Sequence, residues 1–124
     1  MLRILIAEDN AVNRKVLVRL LTGMGCSVDA VENGLEALDA VREQRYDVVL
    51  MDVRMPEMDG ITATRQLRES MLPAACPPVY AITAGVSESE RRECLAAGMA
   101  GFVAKPVQVG ELRALLGTLS KSCT

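Results

Sequence analysis

The amino-acid sequence predicts an α/β fold, namely a doubly wound, five-stranded parallel sheet with five helices. Five short apolar runs alternate along the chain with five longer segments whose apolar residues recur at helical spacing. Right-handed crossovers place helices on both faces of such a sheet, and 2-1-3-4-5 is a common order for five strands. The 124 residues suffice for one domain and leave no room for a second, so we expect one domain over residues 1–124.

The predicted strands are short apolar runs at residues 3–7, 27–31, 47–51, 79–82 and 101–104. The third run is apolar at nearly every position, which is typical of a strand buried on both faces of a parallel sheet. Turn-forming residues, including Pro56 and the Asp59-Gly60 pair, follow it closely. We therefore expect a central strand that runs into a loop.

The first two helices are predicted from apolar periodicity and from a capping signal. Apolar positions between residues 12 and 24 recur at helical spacing, and basic residues, Arg14 among them, lie on the opposite side. Asn33 followed by Glu36 has the spacing of a capping box. The sequence thus predicts an amphipathic first helix and a second helix that begins after Asn33.

The other three helices follow the third, fourth and fifth strands. The third is expected to begin after Asp59. Ser87 and Glu90 form another capping box at the start of the fourth, and Gly98 suits its left-handed end. Regularly spaced leucines predict the fifth helix over residues 109–119.

Polar side chains follow four of the five predicted strands. Glu8 and Asp9 close the first strand, Asp52 the third, Thr83 the fourth and Lys105 the fifth. Parallel strands present their carboxyl ends at one edge of the sheet, where open α/β folds bind ligands. Taken singly, the acids read as helix caps, the threonine as a turn hydroxyl and the lysine as a surface residue. Their occurrence together predicts a site.

Three carboxylates in one place repel each other, by about 4 kcal/mol for a pair 4 Å apart at an effective dielectric of 20. A divalent cation removes that cost, and an open site of oxygen ligands suits Mg²⁺. A carboxylate beside Mg²⁺ can attack a phosphoryl group and form an acyl phosphate. Lys105 would then neutralise one phosphate oxygen, and the Thr83 hydroxyl would donate to another.

Composition excludes several other functions. The formal net charge of −2 gives no basic field for direct binding of nucleic acid or of an anionic membrane. The chain has no histidine, which removes the commonest general base, and its four cysteines form no close pair for zinc. With no signal peptide and no apolar stretch of membrane-spanning length, we expect a cytoplasmic protein.

Several motifs together resemble the receiver domain of two-component response regulators. They are Glu8-Asp9, Asp52 within MDVRMPEMDG, Thr83 within ITA, Phe102 within GMAGFVAKP, and Lys105-Pro106. They span nearly the whole chain in the right order, although Glu8 stands where an aspartate is more usual and Phe102 where tyrosine is common. The resemblance implies the flavodoxin-like (CheY-like) version of the predicted fold.

The resemblance also implies a mechanism. A partner's phosphohistidine would pass its phosphoryl group to Asp52, with Mg²⁺ held by Asp9, Asp52 and the Arg54 backbone carbonyl and with Glu8 acting through water. Thr83 would then turn towards the phosphate and Phe102 would follow, changing the face formed by helix 4, strand 5 and helix 5. The bond before Pro106 would be cis.

The stretch EDNAVN, residues 8–13, resembles receivers of hybrid sensor histidine kinases. Asp52 would then pass the group to a histidine phosphotransfer domain, and the chain would be one domain of a longer protein. A stand-alone receiver fits equally well. Two other functions stay open: a receiver-like interaction module that works without phosphorylation, and a Mg²⁺-dependent phosphohydrolase with Asp52 as nucleophile. We do not expect a stand-alone metabolic enzyme; the resemblance implies a domain that assists its own phosphorylation and dephosphorylation.

Overall fold

The computed structural model describes residues 2–71, 75–85, 87–105 and 107–122, with side chains described as far as residue 117. Five strands alternate with five helices, as predicted. The strands are β1 (Arg3–Ala7), β2 (Ser27–Val31), β3 (Val48–Asp52), β4 (Val79–Thr83) and β5 (Gly101–Ala104). The helices are α1 (Ala11–Gly23), α2 (Gly34–Glu43), α3 (Gly60–Ser70), α4 (Glu88–Ala97) and α5 (Val109–Ser122).

All strands are parallel, and their order is β2-β1-β3-β4-β5, which confirms the predicted topology. The order changes direction between β1 and β3, so a crevice forms at the carboxyl ends of these two strands. The register brings those ends level, because Ala7 pairs with Met51, and Thr83 pairs with Ala104. Residues that directly follow the strands therefore meet at one edge.

Two strands run one residue further than predicted. β3 covers Val48–Asp52 rather than residues 47–51, and β4 extends to Thr83. Asp52 pairs with Ile82, and the ladder continues where Lys105 N donates to the Thr83 carbonyl at 2.9 Å. A ladder is made of backbone groups, so it does not end where the side chains become polar. Asp52 is thus held by the sheet itself.

Side chains alternate across the sheet and form a core on each face. One core packs α2, α3 and α4 against the sheet and includes Leu5, Leu38, Val49, Met51, Leu67 and Ala81. The other packs α1 and α5 and includes Ile4, Ile6, Leu17, Leu21, Leu50, Ile82 and Leu112. Burial of each large aliphatic side chain contributes about 1.5–3 kcal/mol, which fixes the strand ends that carry the polar residues.

Capping residues fix where several of the helices begin and end. The side chains of Asn33 and Ser87 accept from the backbone N–H three residues on, as the capping boxes predicted, and Asp59 caps α3 in the same way. Gly98 ends α4 with φ of 104°, the left-handed conformation expected of it.

Among the described residues, no helix combines the length and apolar character needed to cross a membrane.

Candidate functional site

A cleft of about 390 Å³ lies at the carboxyl edge of the sheet. It is lined by Glu8, Asp9, Asn10, Asn13, Asp52, Val53, Arg54, Thr83, Ala84, Gly85 and Lys105. The polar residues at the carboxyl ends of β1, β3, β4 and β5 are all in this set, so the fold brings together the side chains that the sequence placed at one edge.

The three predicted acids form one cluster. Glu8, Asp9 and Asp52 each offer a carboxylate oxygen, and these atoms all lie within 4.8 Å of one another. Glu8 and Asp52 are only 1% and 6% exposed, whereas Asp9 faces solvent. The Glu8 backbone N–H donates to the Val31 carbonyl at 3.1 Å, so the chain continues beside β2 past the end of β1. Two acids are thus desolvated next to each other.

Lys105 supplies the positive charge between these two acids. Its Nζ donates to Asp52 Oδ2 at 2.7 Å and lies 3.2 Å from Glu8 Oε2. The Glu8 contact is ionic only, since Oε2 of this buried carboxylate makes no hydrogen bond among the described residues. One ammonium therefore faces two buried carboxylates and the nearby Asp9, which leaves a deficit of positive charge in the cleft.

Titration of the site reflects this crowding. Burial, followed by the hydrogen-bonding and charge effects of Asp52, raises the pKa of Glu8 above its usual value. Burial alone would lower the pKa of Lys105, but the hydrogen bond and charge of Asp52, with a further contribution from Glu8, raise it. Lys105 accordingly stays protonated, while the charge on Glu8 is disfavoured unless more positive charge is added.

Backbone groups hold the acids in place. Arg54 N–H donates to Asp52 Oδ1 at 3.2 Å, and Asn10 N–H donates to Glu8 Oε1 at 3.2 Å. The Arg54 side chain points away from the acids and pairs with Glu90 of α4 at 3.2 Å. Behind Asp52, a Cβ at Gly60 would overlap the Asp52 carbonyl oxygen, so this position requires glycine.

The remaining predicted residues differ in their relation to the cleft. The Thr83 hydroxyl lines it but is engaged in a local turn, donating to the Gly85 carbonyl at 3.0 Å and accepting from Gly85 N–H at 3.2 Å. Phe102 is not among the lining residues; it is half-buried on β5, and the Arg91 guanidinium lies 5.3 Å from its ring centre. Pro106 lies outside the described residues, and so does the bond for which a cis conformation was expected.

Arg14 is a residue of the site that the sequence did not reveal. It was assigned to the outer side of α1, yet its side chain is only 19% exposed and donates to the backbone carbonyls of Glu8 and Asp9. Side chains in a helix lean towards its amino end, so an arginine in the first turn reaches back to the preceding strand. That lean, together with the spacing of six residues from Glu8, was the available signal.

The residues present fit a hard divalent cation. Three carboxylate oxygens lie within 4.8 Å of one another, one acid faces solvent, and none of the described residues donates a hydrogen bond to the buried Glu8 Oε2. Oxygen ligands next to open solvent suit Mg²⁺, which keeps several of its waters. The arrangement also has a nucleophilic carboxylate, Asp52, beside an ammonium group, which are the parts needed for transfer of a phosphoryl group to the protein.

Comparison with known proteins points to one family. The family model described as the response regulator receiver domain matches residues 4–117. Histidine protein kinase 1 of Candida albicans is 41% identical over 128 aligned positions that cover 93% of this chain. The chain spans only 5% of that kinase's length, and 15% and 6% of two further histidine kinases that it matches.

Solved structures agree with the family match. The receiver domain of sensor histidine kinase PA1611 from Pseudomonas aeruginosa, with a magnesium ion coordinated in its active site cleft, has a TM-score of 0.86 and 38% identity, covering 95% of this chain and 96% of its own. The receiver domain of the Saccharomyces cerevisiae response regulator Ssk1, crystallised with the histidine phosphotransfer protein Ypd1, has a TM-score of 0.81 and 28% identity, covering 90% of this chain and 83% of its own.

Proposed function

The chain belongs to the response regulator receiver domain family, and on that basis we propose that it accepts a phosphoryl group on Asp52 from a partner's phosphohistidine. The observation that carries the proposal is the environment of Asp52. The Asp52 side chain is 9% exposed at the end of β3, accepts a hydrogen bond from Lys105 at 2.7 Å, and lines the cleft that holds the other acids. The proposed receiver domain comprises residues 1–124.

In the proposed reaction, an oxygen of Asp52 attacks the phosphorus of the donor. The bond from oxygen to phosphorus forms as the bond from phosphorus to the imidazole nitrogen breaks, and the nitrogen keeps the electron pair. The sheet and the Arg54 N–H hold the carboxylate fixed, so little freedom is lost on reaching the transition state. The donor must come from another protein or domain, since this chain has no histidine.

We propose that Mg²⁺ is held by Asp9, Asp52 and the Arg54 backbone carbonyl, with Glu8 acting through a water molecule. The acid cluster and the coordinated magnesium in the similar Pseudomonas aeruginosa receiver support this assignment. When bound, Mg²⁺ neutralises the carboxylates and orients the phosphoryl oxygens. Glu8, the most deeply buried acid of the cluster, would add negative charge close to the metal without binding it directly.

Two residues of the cleft would act on the acyl phosphate. Lys105 would move from Asp52 Oδ2 to a phosphate oxygen, a charge-assisted contact over a similar distance. Thr83 would leave its turn with Gly85 and donate its hydroxyl to another phosphate oxygen. We propose that Phe102, next to Thr83's strand, follows this movement and changes the face of α4, β5 and α5.

We propose that the partner docks over α1 beside the cleft. Val12 and Val16 of α1 are 69% and 49% exposed. A second cleft of about 510 Å³, with a mostly apolar lining that includes Val16 and Val107, adjoins Glu8 and Lys105. Such a surface suits the phosphohistidine domain of a histidine kinase or a histidine phosphotransfer domain, and the yeast complex with Ypd1 supports the second of these. We place this exchange in the cytoplasm, within a hybrid kinase or a separate receiver.

The test is the intact mass of the domain after incubation with acetyl phosphate and Mg²⁺. We expect one added phosphoryl group on the wild type, none with EDTA and none on Asp52→Asn. Asp47→Asn is the matched control, since Asp47 precedes the same strand at the opposite edge of the sheet, and it should be phosphorylated like the wild type. If the wild type forms no adduct and binds no beryllium fluoride, the proposal fails and a phosphorylation-independent interaction module is favoured.

A further inference from the structure

Arg14 lies five residues after Asp9 in the sequence, yet it is not among the residues that line the cleft. It lies in the first turn of α1, where its backbone N–H donates to the carbonyl of the cap residue Asn10 at 2.9 Å. From there its side chain runs back towards β1 and is only 19% exposed. Its contacts are therefore with the protein behind the acids rather than with a ligand in front of them.

One guanidinium joins two loops. Nη1 of Arg14 donates to two backbone carbonyls, that of Glu8 at 2.9 Å and that of Asp9 at 3.4 Å. Nη2 pairs with Glu32, the residue after β2, at 3.3 Å. The planar fork of arginine matches such a set of acceptors, whereas a lysine ammonium acts as a single point of charge. The backbone that carries the first two acids is thus tied to α1 and to the next loop.

The contacts of Arg14 oppose the electrostatic repulsion within the acid cluster. The carboxylates of Glu8, Asp9 and Asp52 repel one another, and the cheapest way to relieve that repulsion is to move the loop after β1 away from β3. The Glu8 N–H is held by Val31, so the loop is fixed on one side by the sheet and on the other by Arg14. Without the guanidinium, both carbonyls lose the contact with α1, and the loop is then held from the side of the sheet but no longer from the helix.

We propose that Arg14 is a positioning residue that sets the affinity of the acid cluster for Mg²⁺ by holding the backbone of Glu8 and Asp9. The proposal rests on the proposed Mg²⁺ site and adds to it a residue that touches neither the metal nor the phosphoryl group. It also predicts the direction in which the affinity for Mg²⁺ changes when Arg14 is replaced. Loss of a nearby positive charge would by itself strengthen Mg²⁺ binding, whereas loss of a positioning contact weakens it.

The experiment is a calorimetric titration with Mg²⁺ alone, without a phosphodonor. We expect Arg14→Gln to weaken Mg²⁺ binding about 10-fold, the lower end of the range seen when groups that orient metal ligands are removed. Arg14→Lys should restore part of the loss, since one ammonium can still donate to the carbonyls. The rate of phosphorylation by acetyl phosphate at saturating Mg²⁺ should recover to near the wild-type value, which separates positioning from chemistry.

Two matched controls isolate the carbonyl contacts. Arg19→Gln removes an exposed arginine from the same helix, and Glu32→Gln removes the ion pair while leaving the bonds to the carbonyls. Both should bind Mg²⁺ within about twofold of the wild type.

The outcomes distinguish this proposal from the one on which it rests. If the wild type does not bind Mg²⁺, the proposed function and this inference fail together. If the wild type binds and Arg14→Gln binds equally or more tightly, only this inference is overturned. If Arg14→Gln does not fold, Arg14→Lys is the deciding variant. A Mg²⁺ affinity equal to that of the wild type overturns the inference, and a severalfold loss of Mg²⁺ affinity at an unchanged melting temperature supports it.

Discussion

At the amino ends of the strands, polar side chains pair with one another, whereas at the carboxyl ends carboxylates face each other. Around the amino ends, Arg3 N–H donates to Asp47 Oδ2 at 2.7 Å, and the Arg3 side chain donates to Gln44 Oε1 at 2.6 Å. The same guanidinium lies 5.6 Å from the ring centre of Tyr46, whose hydroxyl donates to Asp29 at 2.7 Å. Each of these contacts joins a donor to an acceptor.

The carboxyl ends lack this balance. Glu8 and Asp52 both contact the Lys105 ammonium, Asp9 lies beside them, and within the described part of the chain the buried Glu8 Oε2 makes no hydrogen bond. Repulsion of this kind lowers the stability of the folded chain and raises its affinity for a cation. The contrast indicates that the contacts at the amino ends stabilise the fold, whereas the acid cluster at the carboxyl ends destabilises it in the absence of a cation. Substitutions at the two ends should therefore change stability in opposite directions.

The largest effect is expected at the amino ends, from Asp47→Ala. The substitution removes a charged acceptor from the backbone N–H of Arg3, and we expect the free energy of unfolding to fall by about 1.5 kcal/mol, near the lower limit for such bonds because the contact is partly exposed. Urea unfolding measures this. Asp47→Asn keeps an acceptor oxygen and should lose less. The affinity for Mg²⁺ should be unchanged. A marked loss of Mg²⁺ affinity would show that contacts at the amino ends of the strands also determine binding at the carboxyl ends.

A gain in stability is expected at the carboxyl ends, from Glu8→Gln. The amide keeps the shape of the side chain and removes a buried charge whose ionisation the site disfavours. In EDTA at neutral pH we expect the free energy of unfolding to rise by about 1 kcal/mol, a typical value for relieving an unsatisfied buried group. With saturating Mg²⁺ the difference should shrink, because the cation stabilises the wild type more. A loss of stability in EDTA would show that the acids do not strain the fold.

The sequence predicted most of the site because the site lies at strand ends. A buried apolar run that stops at an acid, as at Asp52, marks both the strand and its functional edge, and the parallel topology then brings Glu8, Thr83 and Lys105 to the same place. Strand ends were misplaced by one residue at Asp52 and Thr83, since backbone pairing does not depend on side-chain polarity. Capping boxes were predicted well because they are local.

The sequence did not predict the contacts made by long side chains. Arg14 and Arg54 are both arginines near an acid, yet one folds back onto backbone carbonyls and the other crosses to Glu90 on α4. Several rotamers of each residue reach some acceptor, and only the positions of the neighbouring loops decide which one is reached. The turn that engages the Thr83 hydroxyl is equally a matter of loop geometry.

The smallest effect is expected from Tyr46→Phe at the amino ends, and it should depend on pH. Burial, followed by the hydrogen bond to Asp29, raises the pKa of Tyr46 to about 12. In the unfolded chain tyrosine ionises near pH 10, so the folded state holds this proton more tightly. The contribution of the hydroxyl to stability is therefore complete below about pH 10 and is lost as the pH rises towards about 12.

At pH 8 we expect Tyr46→Phe to lower the free energy of unfolding by about 0.5 kcal/mol, the value of a partly exposed hydrogen bond. The difference between wild type and variant in urea unfolding should narrow steadily above pH 10, and the comparison cancels the titration of all other groups. Lys105 and the acids are untouched by this substitution, so phosphorylation of Asp52 should proceed as in the wild type. If the difference in the free energy of unfolding widened with pH, the ionised form of the hydroxyl would be the one that stabilises the fold. The contact between Tyr46 and Asp29 would then not be a matched pair of donor and acceptor at neutral pH.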